Sequence, residues 1–166
     1  MYLLVVTTTT RIGAYELDFK AYNSTHDVKT KQGKDAKGIT AQFLKTIMKK
    51  VSKDARKALG PGPIEFEHDK APCYQAIMKM KEGALCGFDK ITMAGAKCPD
   101  MSMLDAGACG EMEDAVEEEG AKSPDEIRRA VKRAWKERIT PDFCEATARA
   151  IWKNCGEVLR LKGGNF

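Results

Sequence analysis

The sequence predicts an α/β fold, with a mixed sheet and helices in its first part and a helical C-terminal half. Stretches typical of strands, rich in β-branched residues or alternating between apolar and polar ones, end by residue 93. Apolar residues at three- and four-residue spacing, typical of helices, follow Thr40, Ser123 and Thr140. We expect one domain over residues 1–166, comprising a hairpin, a helix–strand core and C-terminal helices at residues 1–20, 39–103 and 104–166.

Four strands are predicted. Residues 2–10 are mainly apolar and β-branched, and residues 14–19 alternate, so the two are expected to form a hairpin around a turn at residues 11–13. Residues 64–69 alternate apolar and acidic side chains after a run of glycines and prolines, which predicts a third strand with two different faces. Residues 88–93 predict a short fourth strand.

A lysine-rich segment and a long helix follow the hairpin. Residues 20–37 are predicted to form a mobile loop, whose lysines are either solvated or in contact with phosphate. Thr40 is a suitable N-cap for the helix, which should stop at Gly60. We expect its apolar stripe to face the core and its lysine face to be solvated, with approach to DNA as the alternative. The lysine face consists of Lys45, Lys49, Lys50, Lys53 and Lys57.

A short helix is predicted over residues 72–81, and three longer helices follow. The first of these runs from about Leu104 to Glu119. Ser123 and Thr140, each followed by a proline and an acid, are typical starts of the second and third. The side chains expected to face inward are Ile127, Val131 and Trp135 in the second helix and Phe143, Ala146, Ala150 and Ile151 in the third.

Composition narrows the functional classes. No apolar run approaches the roughly 20 residues needed to span a bilayer, and residues 1–6 lack the basic leader of a signal peptide, so we expect a protein that is not secreted. Six cysteines never form a CxxC pair and only two histidines are present, which argues against zinc and favours reduced thiols. The net charge of +4 permits an acidic partner without demonstrating one.

Two aspartates are candidate metal ligands. Asp69 ends the third predicted strand and Asp105 begins a predicted helix. Two-metal phosphodiester chemistry requires clustered carboxylates, because oxygen ligands hold the cations that activate the nucleophile and stabilise the leaving oxygen. Each aspartate also has a local interpretation: Asp69 would open the turn before Pro72, and Asp105 would stabilise a helix N-terminus through the helix dipole.

The third predicted strand carries further polar side chains. His68 shares a face with Phe66, so a packed core histidine is expected, with contact to phosphate or acid–base catalysis as the alternative. Glu65 and Glu67 share the other face with Asp69. Because buried acids are costly, this face should be partly open or should pair with lysines from the helix at residues 41–59.

Three segments resemble landmarks of mariner-superfamily transposases, in the same order. Asp69-Lys70-Ala71-Pro72-Cys73-Tyr74 resembles the family's DNAPCH-type segment, which carries the second metal-binding aspartate. Cys98-Pro99-Asp100-Met101-Ser102-Met103-Leu104-Asp105 resembles its SPDLxPxD segment, whose last acid is the third. Lys162-Gly163-Gly164-Asn165-Phe166 resembles the KGGN at which many members finish.

The resemblance implies an RNase H-like fold and a DDE/DDD transposase core that cuts and joins DNA with Mg²⁺ or Mn²⁺. Asp69 and Asp105 would be catalytic metal ligands. DNA would be the partner, the nucleus the location, and a homodimer one form of the protein. Nothing in the pattern indicates a membrane or a small-molecule substrate.

The sequence also departs from the family pattern. By the resemblance, residues 2–10 and 14–19 correspond to the second and third strands, so the first strand and its aspartate are expected to be missing and the sheet incomplete. Asp18 is the nearest substitute, but it falls on the third strand. Lys70 stands where Asn is usual, and Tyr74 where His is usual. Two hypotheses follow: a truncated transposase core, or a catalytically dead remnant that binds DNA or protein. An unrelated small α/β protein is a third.

Overall fold

The computed structural model describes residues 2–30, 32–68, 86–93 and 102–161. Within these residues the chain is α/β, as predicted, with five α-helices and two two-stranded sheets. The strands are β1 (Tyr2–Val6), β2 (Arg11–Glu16), β3 (Glu65–His68) and β4 (Lys90–Met93). The helices are α1 (Phe19–Thr25), α2 (Ala41–Leu59), α3 (Cys109–Glu118), α4 (Pro124–Glu137) and α5 (Pro141–Arg160).

Contacts divide the chain into two compact units. One comprises residues 1–3 and 15–96, and the other residues 4–14 and 97–166. The strand β1 pairs with β2, and β3 pairs with β4, in two separate two-stranded sheets. Within the described residues the four strands thus do not form the one mixed sheet that was expected. The single domain over residues 1–166 stays a prediction. No helix in the described ranges is both long and apolar enough to cross a membrane.

The hairpin turns earlier than predicted. The side-chain oxygen of Thr7 accepts hydrogen bonds from the backbone N–H groups of Thr9 and Thr10, at 3.2 and 2.9 Å. The Thr7 N–H also donates to the Thr10 carbonyl at 2.7 Å. Threonine hydroxyls that bond to nearby backbone groups compete with strand pairing. The turn therefore lies at residues 7–10 rather than 11–13, and β2 starts at Arg11.

The segment expected as a mobile loop begins as a helix. Asp18 caps α1, because its Oδ1 accepts the Ala21 N–H at 3.1 Å. Asn23 is buried, and its side-chain amide donates to the carbonyls of Ala36 and Gly38, at 3.0 and 2.9 Å. These bonds tie the following loop to α1. The prediction of an unstructured loop from residue 20 was therefore wrong for residues 20–25.

The helix α2 begins and ends as predicted. The Thr40 Oγ1 accepts the Phe43 N–H at 3.2 Å, and Gly60 ends the helix with a φ of +83°. Its buried side chains form one stripe, consisting of Phe43, Leu44, Met48, Val51, Ser52 and Ala55. Leu59, the last residue of the helix and an apolar one, is 42% exposed.

In the other unit, the helix starts are confirmed. Ser123 and Glu126 form a reciprocal capping box at α4, and the Thr140 side chain accepts the Phe143 N–H at α5. Val131 and Trp135 are buried as expected, whereas Ile127 is 36% exposed.

The buried face of α5 differs from the prediction. Its buried residues are Cys144, Thr147 and Ala148, whereas Ala146 and Ala150 are exposed. Beyond Ala148 the helix presents large apolar side chains to solvent, Trp152 at 74% and Leu159 at 79% exposure. The buried face differs because the turn at residues 104–108 contacts this helix closely.

Candidate functional site

The strands β3 and β4 run parallel, with Phe66 opposite Ile91 and His68 opposite Met93. The carboxyl ends of parallel strands share one edge of a sheet, and open α/β sheets bind ligands there. Asp69 follows the last residue of β3 directly. Asp69 itself lies outside the described residues, as do the predicted helix at residues 72–81 and residues 162–166, so those predictions remain open.

Side chains alternate along β3 as predicted. Phe66 and His68 are 8% and 6% exposed, and their ring centroids lie 6.3 Å apart. Glu65 and Glu67 are exposed. The burial of His68 supports the interpretation as a packed core histidine over contact with phosphate.

The partner of Glu65 differs from the expectation. Lys90 Nζ lies 3.0 Å from the Glu65 Oε1, and the Thr92 hydroxyl donates to the same oxygen at 2.8 Å. The hydrogen bond from Thr92 and the ion pair with Lys90 lower the pKa of Glu65 below its ordinary value. The cation comes from β4 and not from α2, because the parallel register sets Lys90 beside Glu65.

Asp105 lies in a π-helical turn, Leu104–Ala108, that leads into α3. The Asp105 side chain is exposed, and its backbone N–H donates to the Ser102 Oγ at 3.4 Å. No lysine or arginine of the described ranges forms an ion pair with its carboxylate. Its position in the first turn of a helix also fits the local interpretation, in which the carboxylate stabilises the helix dipole.

The π-helical turn was not predicted from the sequence. The Ala108 N–H donates to the Met103 carbonyl and the Cys109 N–H to that of Leu104, five residues back in each case. Such turns are rare and frequently occur at functional sites. Three small residues, Ala106-Gly107-Ala108, are the available sequence signal.

Gly107 explains which face of α5 is buried. A Cβ atom at Gly107 would lie 2.8 Å from Cζ of Phe143 and 3.3 Å from Oγ1 of Thr147. Without a side chain, the turn can approach α5 closely at these two residues. The buried face of α5 is therefore set by this contact, one position away from the stripe predicted by spacing.

Asp18 does not lie on a strand. The strand β2 ends at Glu16, and the Asp18 carboxylate caps α1 through the Ala21 N–H. The carboxylate is therefore used locally, and the placement of Asp18 on the third predicted strand was wrong.

The carboxylate of Asp105 is a suitable ligand for a hard cation. Its exposed carboxylate oxygens are the ligand type that Mg²⁺ and Mn²⁺ take in proteins. Within the described ranges, no three His, Cys, Asp or Glu side chains lie close enough together to hold a metal ion. This finding does not include Asp69, so its pairing with Asp105 stays a prediction.

Sequence reasoning overlooked Asp89. Its Oδ2 accepts hydrogen bonds from the Ile64 N–H at 2.8 Å and from Arg56 Nη2 at 2.9 Å. Arg56 also donates to the Gly87 carbonyl at 3.0 Å. Asp89 therefore ties α2 to the residue that precedes β3. These hydrogen bonds, first from Ile64 and then from Arg56, lower the pKa of Asp89 below its ordinary value.

We expect Asp89→Asn to reduce stability at neutral pH and to weaken its pH dependence. Because the folded pKa is lowered, the carboxylate stabilises the fold above its unfolded pKa of about 3.9. That contribution is lost as the pH falls through the lower, folded pKa. Urea denaturation at neutral and acidic pH measures both effects. Asp114→Asn, an exposed position on α3, is the control. Equal losses of stability on acidification in wild type and Asp89→Asn would contradict this role.

Comparison of the chain with protein-family models, with curated proteins and with solved structures gives no match. The likeness to mariner-superfamily transposases therefore rests on the three sequence segments alone.

Proposed function

We propose that this chain belongs to a mariner-type DDE/DDD transposase core with an RNase H-like fold, which cleaves and joins DNA strands with Mg²⁺ or Mn²⁺. The observation that carries the proposal is the setting of the two motif acids. Asp69 directly follows a strand that is paired in parallel, and Asp105 is exposed with no described cation paired to it. DNA as the partner, nuclear location and dimerisation are part of the same proposal.

In this proposal Asp69 and Asp105 bind divalent cations through their carboxylate oxygens. The bound metal supplies Lewis-acid chemistry, which activates the attacking oxygen and stabilises the leaving one. The two carboxylates contribute negative charge and orientation. Asp18, the nearest substitute for the family's first acid, caps α1 through the Ala21 N–H and is used locally.

The second candidate is a catalytically dead, transposon-derived remnant that binds DNA or protein. One observation favours it: the carboxylate of Asp18, the substitute considered for the first acid, accepts the Ala21 N–H. With two acids instead of three, a metal pair would be held weakly. The same chain could still keep its surfaces for binding.

Mn²⁺ binding separates these functions. If the core binds metal, we expect Asp69→Asn and Asp105→Asn each to weaken Mn²⁺ binding by more than about tenfold, since removal of even an outer-shell partner typically costs that much. Titration calorimetry with MnCl₂ on the full chain provides the measurement. Asp142→Asn is the matched control, because Asp142 is also an exposed acid in the first turn of a helix but lies outside the motifs.

The outcomes are distinct. Loss in both motif variants, with Asp142→Asn unchanged, supports the transposase core. Equal Mn²⁺ binding in wild type and all three variants, or no binding at all, overturns it and favours the remnant. Strand nicking of supercoiled DNA by wild type in Mn²⁺, abolished in Asp105→Asn, would further support catalysis.

A further inference from the structure

The lysine face of α2 forms a continuous basic stripe. The helix Ala41–Leu59 carries six basic side chains and one acidic one. At about 100° per residue, the five lysines of this face fall within an arc of about 140°. The buried stripe, which includes Leu44, Met48 and Val51, lies on the other side of the helix. Lys49, Lys53 and Lys57 are exposed and point away from the core, whereas the Lys50 Nζ lies 5.6 Å from the ring centroid of Tyr15.

The cations at the centre of this face are not neutralised within the described part of the chain. The single acid, Asp54, accepts a hydrogen bond from the Tyr15 hydroxyl at 2.8 Å. Arg56 is paired with Asp89. No described carboxylate forms an ion pair with Lys49, Lys53 or Lys57. Three exposed positive charges thus remain, one helical turn apart.

The other basic row in the described residues has a different environment. Arg129, Lys132 and Lys136 lie along α4 at similar spacing and are exposed. Acidic side chains of α3 and of its C-cap pair with cations of the same region: Glu119, the C-cap, lies 3.6 Å from Arg133, and Glu111 lies 3.7 Å from Arg138. These carboxylates reduce the local positive potential, so α4 is the weaker candidate for binding an anion.

The length of the lysine face suits a nucleic acid strand. Lys45 and Lys57 are twelve residues apart, which is about 18 Å along a helix axis. One strand of B-form DNA carries a phosphate about every 3.4 Å of duplex axis, so about five phosphates span that length. Between the lysines, the exposed side chains are polar: the Gln42 amide can donate hydrogen bonds to phosphate oxygens, whereas the Thr46 hydroxyl donates to the Gln42 carbonyl at 3.2 Å.

A membrane surface fits less well. Helices that lie on membranes insert an apolar face while basic side chains flank it. The apolar face of α2 is already buried in the protein, and Leu44 and Met48 are each 1% exposed. The lysine arc itself presents no large apolar side chain. A basic face without exposed apolar side chains fits contact with a phosphate backbone better than insertion into a membrane.

We propose that the lysine face of α2 binds the phosphate backbone of duplex DNA, without reading its sequence. Contacts to phosphate fix position but carry no sequence information directly. The proposal goes beyond the metal-dependent chemistry proposed above, because it requires neither Asp69 nor Asp105. It holds equally for an active core and for a dead remnant.

The test is the salt dependence of DNA binding by the full chain. The variant K49Q/K53Q/K57Q removes the central charges, and glutamine keeps the helix propensity of lysine. The variant R129Q/K132Q/K136Q removes the same number of charges from α4 and is the matched control. Binding of a fluorescently labelled duplex is measured by anisotropy in EDTA, from about 50 to 200 mM salt. Circular dichroism checks that both variants stay folded.

We expect the α2 variant to bind about a hundredfold more weakly at about 0.1 M salt, and its slope of log affinity against log salt to be smaller by about 2.7, since each phosphate contact contributes about 0.9. The α4 control should lose less than about threefold. Duplex binding by wild type in EDTA, where no metal is bound, would show that the lysine face acts independently of the metal site, even if no Mn²⁺ binding is found.

Three results would overturn the proposal. Equal losses in the two triple variants would mean that only net charge matters. If wild type does not bind duplex DNA at low salt, duplex DNA is excluded as the partner of this face. The third result is binding to vesicles that contain anionic phospholipid. If the α2 variant loses this binding but still binds duplex DNA like wild type, the lysine face binds a membrane surface instead.

Discussion

Leu44→Ala is expected to lower the free energy of unfolding by about 2–5 kcal/mol, the usual cost of removing a large side chain from a core. Leu44 is 1% exposed and lies in the buried stripe of α2 together with Met48 and Val51. The substitution removes apolar contacts and leaves a cavity that rigid neighbours fill only in part. Urea denaturation followed by circular dichroism measures the loss.

Leu59→Ala provides the matched control, because it removes the same atoms from the same helix. Leu59 is 42% exposed, so we expect a change within about 0.5 kcal/mol. Similar losses in the two variants would contradict the described orientation of α2. The orientation matters for the proposed DNA contact, since the same rotation of the helix sets Lys49, Lys53 and Lys57 outward.

Gly87→Ala should be the second strongly destabilising change, with a loss of about 2–4 kcal/mol. Gly87 has a φ of +95°, and a Cβ atom there would lie 2.6 Å from the Ser52 Oγ. A side chain in a left-handed conformation costs about 1–2 kcal/mol. The clash also displaces the Ser52 hydroxyl, which donates to the buried Cys86 carbonyl at 2.7 Å, and a lost buried hydrogen bond costs about 1–3 kcal/mol.

Gly120→Ala separates these two causes. Gly120 has a φ of +60°, but nothing lies within 4 Å of the position a Cβ would take. We therefore expect only the backbone cost, about 1–2 kcal/mol. The double variant S52A/G87A should lose less than the sum of its single variants, because removal of the hydroxyl takes away the closest contact and leaves only the Ser52 Cβ at 3.3 Å. Additive losses, or equal effects at Gly87 and Gly120, would refute the contact.

Gly87→Ala also tests the attachment of α2 to the segment before β4. Ser52 bonds to Cys86, and Arg56 bonds to Gly87 and Asp89. Asp89 in turn accepts the Ile64 N–H, directly before β3. The helix that carries the lysine face and the strand that leads to Asp69 are thus held by one set of hydrogen bonds, all within the same compact unit.

The candidate site was predictable only in part. The motif segments indicated Asp69 and Asp105, and the alternating pattern correctly predicted that β3 would have a buried face with His68. The π-helical turn around Asp105 has no periodic signal in the sequence, because it depends on the close approach of Gly107 to Phe143 and Thr147. Asp89 was missed because its partners, Arg56 and Ile64, are distant in sequence.

Local chemistry alone determined the main helix boundaries. Thr40, Ser123 and Thr140 cap helices through hydrogen bonds that reach only three residues along the chain, so the sequence contains the whole interaction. Tertiary structure decided which surfaces are buried and which charges meet. Lys90 pairs with Glu65 through the parallel register of β4 on β3, and the buried face of α5 follows from its contact at Gly107. Such pairings depend on how distant segments pack, which periodicity within one segment cannot encode.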